Sequence, residues 1–131
     1  MTDTPWLGDA CSLVDAYRAG ERKPTEELEA VLAAIERSGL NAVCFVDEEG
    51  ARAAAESADV SLPFGGVPIG VKELEPVAGW PATEASLVFA DRVADHTSTM
   101  VERLEAAGAV KVGQTTASEF GGLNVSVSRL H

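Results

Sequence analysis

No apolar run in this 131-residue sequence approaches the length needed to cross a bilayer. The N-terminus, Met1-Thr2-Asp3-Thr4-Pro5-Trp6, has neither the basic region nor the apolar stretch of a secretory signal. Positive charge is scarce: 10 Lys and Arg stand against 21 Asp and Glu, a net charge of -11. Such a chain repels phosphate backbones and anionic membrane surfaces, so neither a nucleic-acid nor a membrane partner is expected for the chain itself. Its two cysteines, Cys11 and Cys44, lie far apart in sequence and show no metal-ligand spacing. They read as reduced structural thiols, and the expected location is cytoplasmic. Internal repeats, low-complexity tracts and long linkers are missing. Gly65-Gly66 and Gly121-Gly122 match neither G-x-x-x-x-G-K-[ST] nor G-x-G-x-x-G, which excludes a phosphate loop at either place.

What is present suits one globular domain with a modest core, 46% hydrophobic and 24% charged. Asp9 is placed to cap a helix running to about Ala19, with Leu13, Val14 and Tyr17 on one face and Gly20 as its stop. Thr25 is the expected N-cap of a second helix, in which Leu28, Val31, Leu32 and Ile35 form the apolar stripe before Ser38-Gly39. Ala42 to Asp47 reads as a strand with Cys44 as a small buried hydrophobe, and Glu48 to Ala58 as an alanine-rich helix. Asp95 to Thr99 is rich in capping residues, Thr99 and Glu102 having capping-box spacing. The helix they open is expected to bury Met100, Val101, Leu104 and Ala107. Ala109 to Gly113 follows as a strand, joined to the preceding one by a crossover within one sheet. His96 is assigned a capping or surface role.

The chain centres on Gly65-Gly66-Val67-Pro68-Ile69-Gly70-Val71-Lys72-Glu73, a short buried strand introduced by turn residues. Alternation puts Ile69, Val71 and Glu73 on one face, and Pro68, Gly70 and Lys72 on the other. A lysine at the mouth of such a strand has two fates open to it. It snorkels to water, or it is held desolvated and neutral and can take a proton. Glu73 and Glu75 read as a solvated or salt-bridged strand end. Val77 to Ser86 is a loop, whose Trp80 either lines a pocket or covers the core.

The central stretch, then Val77-Ala78-Gly79-Trp80-Pro81-Ala82-Thr83, Leu104-Glu105-Ala106-Ala107-Gly108-Ala109-Val110 and Thr115-Thr116-Ala117-Ser118-Glu119-Phe120-Gly121, resemble in order and spacing the opening part of the amidase signature family. The likeness covers about residues 25 to 131 and is strongest from Leu62 onward. It implies an α/β class, the N-terminal part of an α/β/α fold with helices packed on a partial mixed sheet. It implies one partial domain over residues 1–131, with residues 1–60 as N-terminal helices, strand and helix, and residues 61–131 as the start of the core. The implied chemistry is hydrolysis of a small-molecule carboxamide by a Ser–cis-Ser–Lys triad, with no metal and no organic cofactor. Lys72 matches the catalytic lysine; the glycine- and serine-rich nucleophile segment of the family has no counterpart up to His131. Ser126 and Ser128 lack the flanking glycines of an oxyanion hole and read as surface hydroxyls.

The sequence therefore reads as a truncated piece that holds the base and lacks the nucleophile. A rival within the family is the A-type subunit of a tRNA-dependent glutamine amidotransferase. A non-catalytic fragment bound to another subunit is the alternative outside it, and a stand-alone α/β binding module a third. The isolated chain is expected to self-associate through an exposed sheet edge and to be inactive on simple amides. Sedimentation analysis and an amide-turnover assay of the purified chain check both; Lys72-dependent turnover would overturn the second.

Overall fold

The computed structural model of the protein describes residues 4–131. Among the described residues four α-helices and three strands follow in the order α1 (Ala10–Ala19), α2 (Pro24–Arg37), β1 (Val43–Val46), α3 (Glu48–Glu56), β2 (Pro68–Lys72), α4 (Thr99–Ala106) and β3 (Val110–Thr115). The chain divides into two compact units, the first made of Met1–Gly39, Asp47–Ile69 and Arg103–Val112, the second of Leu40–Val46, Gly70–Glu102 and Gly113–His131.

In the first unit, Asp9 caps α1 by accepting the Ser12 N–H at 2.7 Å, a bond that also holds its carboxyl below the usual range. Gly20 closes α1 at φ 75°, a left-handed conformation that favours glycine. Leu13, Val14, Tyr17 and Val67 form a buried cluster, with Trp6, Ala10, Val60 and Ile69 packed against it. The Tyr17 hydroxyl donates to the Gly66 carbonyl at 3.3 Å, and burial pushes its ionisation well above the ordinary phenol range. Helix α2 starts before the expected Thr25 cap: Lys23 is the N-cap and Pro24 the first helical residue. Proline's fixed φ suits that place, and Glu26 accepts the Lys23 N–H at 3.1 Å. Helix α3 is capped by Asp47 and lies against α2, with Leu28, Ala51 and Ala55 buried.

The sheet has the order β1-β3-β2. In the second unit β1 runs antiparallel to β3, with Val43 opposite Thr115, Phe45 opposite Gln114 and Val46 opposite Gly113. The register slips between Val43 and Phe45, so Cys44 is the extra residue of a β-bulge. Bonds from Val110 N–H to Val67 C=O and from Glu73 N–H to Thr115 C=O advance in the same direction along both strands, so β2 and β3 are parallel and the sheet is mixed. Strand β3 continues to Thr115, beyond the expected Gly113, because Gln114 is buried with its side-chain amide donated to the Pro81 carbonyl at 2.8 Å. Helix α4 is opened by Ser98 rather than Thr99: the Ser98 carbonyl accepts from Glu102 N–H at 3.0 Å and its hydroxyl from Val101 N–H at 3.4 Å. Val101 is fully buried as expected, whereas Met100, one step around the helix, is 53% exposed and leaves the stripe. Leu87, Val88, Phe120, Leu123, Val125 and Val127 are also more than half exposed. Among the described residues no helix is long and apolar enough to cross a membrane.

Gly113 sits where a Cβ would fall on the Phe45 carbonyl oxygen and within 2.9 Å of the Val46 Cα. Both are backbone atoms and cannot swing aside. Gly113→Ala is therefore expected to force β1 from β3 and to lower unfolding free energy by about 1–3 kcal/mol, read from the shift of a urea transition.

Candidate active site

The second unit gathers the chain ends of β2 and β3. The pleat of β2 has the expected sides: Val71 and the following Glu73 are buried at 4% and 3% exposure, while Gly70 and Lys72 are exposed. The Lys72 side chain makes no hydrogen bond or ion pair to any described residue, and the described residues do not cover it. The backbone bond from Glu73 N–H to Thr115 C=O, 3.1 Å, fixes the end of β2 beside the end of β3. Lysine and the loop after β3 thus leave neighbouring carboxyl ends of parallel strands, the usual ligand side of an open α/β sheet.

Glu73 turns inward and carries most of the polar contacts. Its Oε1 accepts the Ala117 N–H at 2.5 Å. Its Oε2 lies 2.7 Å from His131 Nε2, 3.4 Å from Thr83 Oγ1 and 3.7 Å from Cys44 Sγ. A strand end, a loop, the bulge of β1 and the segment after β3 therefore meet at one carboxylate. The expectation of a solvated or salt-bridged strand end divides: Glu75 is half-buried, and Glu73 is desolvated and bonded to His131. Cys44 is half-buried rather than fully enclosed. Burial first, and then the nearby Glu73 charge, push its thiol up to about 12, so it stays protonated and donates to the carboxylate.

The loop beside this network is strained. Glu84 and Ala85 are consecutive left-handed residues at φ 53° and 55°. The Thr83 hydroxyl accepts the Ala85 N–H at 3.2 Å, and the fully buried Ser86 donates its hydroxyl to Glu119 Oε1 at 2.6 Å. Ser128 is not the free surface hydroxyl that the sequence suggests. It is half-buried, donates to the Ala85 carbonyl at 2.5 Å and accepts the Leu130 N–H at 3.0 Å. Ser126 is exposed, with its hydroxyl 3.4 Å from the Thr116 carbonyl. Trp80, 6% exposed, stacks at a tilt on Phe45 with ring centroids 5.3 Å apart and so covers the core. His96 is exposed and bonds only its neighbour Asp95, 2.7 Å away, which holds that carboxyl below its ordinary range.

The Amidase family model matches residues 26–128. The chain belongs to the amidase family. Among curated relatives, the A subunit of the glutamyl-tRNA(Gln) amidotransferase of Lachnospira eligens is 38% identical over 120 residues, covering 85% of this chain and 25% of the relative. Its counterpart of the same name from Ralstonia nicotianae is 42% identical over 96 residues, covering 68% and 19%. Among solved structures, 6-aminohexanoate cyclic dimer hydrolase in complex with its substrate superposes with a TM-score of 0.86 at 30% identity, covering 94% of this chain and 26% of the other. A bacterial aryl acylamidase of the amidase signature family, at 24% identity and a TM-score of 0.84, covers 95% of this chain and 28% of the other and shares the fold. The chain spans about a quarter of the length of the relatives it matches.

The amidase resemblance of the sequence singles out Lys72 and passes over the cluster next to it. Cys44, Glu73 and His131 are separated by 29 and 58 residues and so have no shared motif. The one available signal is the strand alternation that puts Glu73 on the buried face with Val71. Removing the carboxylate leaves the buried Ala117 N–H unpaired. Glu73→Ala is expected to destabilise the chain by about 1–3 kcal/mol, measured by chemical denaturation against Glu75→Ala, which should change little.

Proposed function

We propose that this chain carries the base of an amide-hydrolysing active site, with Lys72 in that role. The observation that supports it is the position of Lys72: at the carboxyl end of a strand parallel to its neighbour, exposed and without a described partner, within the segment that matches the family. None of the described serines lies in hydrogen-bond contact with it, and the nucleophile and the relay serine are assigned to none of them. In that role Lys72 requires cover from water to be neutral and able to take a proton.

In the complete site, neutral Lys72 receives the nucleophilic serine's proton through the relay serine. The serine oxygen adds to the carboxamide carbon. The resulting lysine ammonium returns the proton to the leaving nitrogen, releasing ammonia or an amine, and water then hydrolyses the acyl ester to the acid. Of the three groups, this reading assigns Lys72 alone among the described residues. The higher identity of the amidotransferase relatives favours a second reading, an A-type amidotransferase subunit that frees ammonia from glutamine. With a charge of -11, the RNA of such an assembly would be held by partner subunits.

Fragment complementation tests the proposal. The chain mixed with a segment covering the remainder of a relative should recover carboxamide turnover, and Lys72→Ala should lower the recovered rate by about 10²–10⁴-fold. Turnover that survives Lys72→Ala at full rate would sink the assignment of the base. Glutamine as the preferred substrate, together with co-purifying subunits, would select the amidotransferase reading.

A further inference from the structure

The group formed by Cys44, Glu73 and His131 has a use that amide hydrolysis does not draw on. One ligand atom from each, Sγ, Oε2 and Nε2, lie within 4.8 Å of one another. We propose that these three residues bind a zinc-type divalent cation, leaving one coordination position open.

The donor set is thiolate, imidazole and carboxylate, which suits zinc and its neighbours rather than calcium or magnesium, whose ligands are oxygens. Tetrahedral coordination at ordinary Zn–S and Zn–O or Zn–N lengths separates sulfur from oxygen by about 3.5 Å, and oxygen from nitrogen by about 3.3 Å. The observed Sγ–Oε2 separation is 3.7 Å, already close to that. The Oε2–Nε2 separation of 2.7 Å needs to open by about half an ångström, a shift within reach of side-chain rotation of the partly exposed His131.

The surroundings orient the ligands. Ala117 N–H holds Oε1, and Thr83 Oγ1, 3.4 Å from Oε2, stands beside the oxygen that would ligate. The bulge at Cys44 re-aims its side chain out of the regular β1 alternation and toward Glu73. Charge is balanced as well: thiolate and carboxylate together neutralise the cation. An entry path exists, since the His131 side chain is 20% exposed and lines a cavity with Asn41, Ala42, Thr116, Ser126 and Ser128. The site lies on the buried side of the β2 terminus, opposite Lys72, and rests on no part of the amide-hydrolysis reading.

Cobalt(II) is the probe, because a thiolate bound to it gives a near-ultraviolet charge-transfer band and tetrahedral geometry gives strong visible bands. The purified, reduced and chelator-treated 131-residue chain should bind one equivalent of Co²⁺ with both features, and one equivalent of Zn²⁺ should bleach them. The Cys11→Ser variant should give the same spectrum; Cys44 is then the only thiol in the chain, so this variant decides the matter without touching the site. His131→Ala should weaken binding at least about tenfold, and Cys44→Ser should abolish the charge-transfer band, with circular dichroism verifying that each variant is folded. No stoichiometric binding, or a band lost in Cys11→Ser, would overturn the proposal.

Discussion

The contact that the second unit depends on is the buried carboxylate of Glu73. A carboxyl group at 3% exposure is stable only if its oxygens find hydrogen-bond partners, and here they find them on separate segments: Ala117 N–H, His131, Thr83 and the Cys44 thiol. Each of these would be an ordinary surface or loop residue by itself. Held on one carboxylate, they fix where the bulge of β1, the loop through Thr83 and the segment after β3 lie. The neighbouring Lys72 gains its direction from the same arrangement. Because Glu73 points inward at the end of β2, the pleat points Lys72 outward.

Two backbone features make the arrangement possible. Gly113 allows β1 to approach β3 closely at Phe45 and Val46, an approach that any side chain at that position would block. The bulge one residue earlier in β1 changes the side to which Cys44 points. Together they turn a residue that looks like core filler into one facing a carboxylate. The left-handed pair Glu84 and Ala85 shows the same economy: strain in the loop is held by hydrogen bonds from Thr83 and Ser128.

Lys72 stands at a strand end in a chain that spans about a quarter of the length of its relatives. Its strand position, its parallel neighbour and its outward direction follow from the residues around it. The described residues leave its side chain exposed. The same holds for the apolar side chains at Leu87, Val88 and the run Leu123 to Val127, which stand open to solvent in a chain that is otherwise well patterned.

Most of the local structure was legible in the sequence. Asp9 and Gly20 bracket α1 because a carboxylate caps free N–H groups and glycine accepts a left-handed φ, both of which are local effects. The strand through Lys72 and its alternation were legible for the same reason. The errors were local competitions too: Pro24 displaced Thr25 as the place where α2 begins, and Ser98 displaced Thr99 at α4. The family could also be read directly, since its motifs are contiguous stretches of chain. What only the tertiary structure decided is which distant residues meet. Nothing in sequence joins Cys44 to Glu73 and His131, because their proximity comes from a bulge, a glycine and a parallel strand pair acting together. Local rules determine what each segment becomes. Burial of a charge, which must find its partners wherever the fold brings them, determines what the segments become to one another.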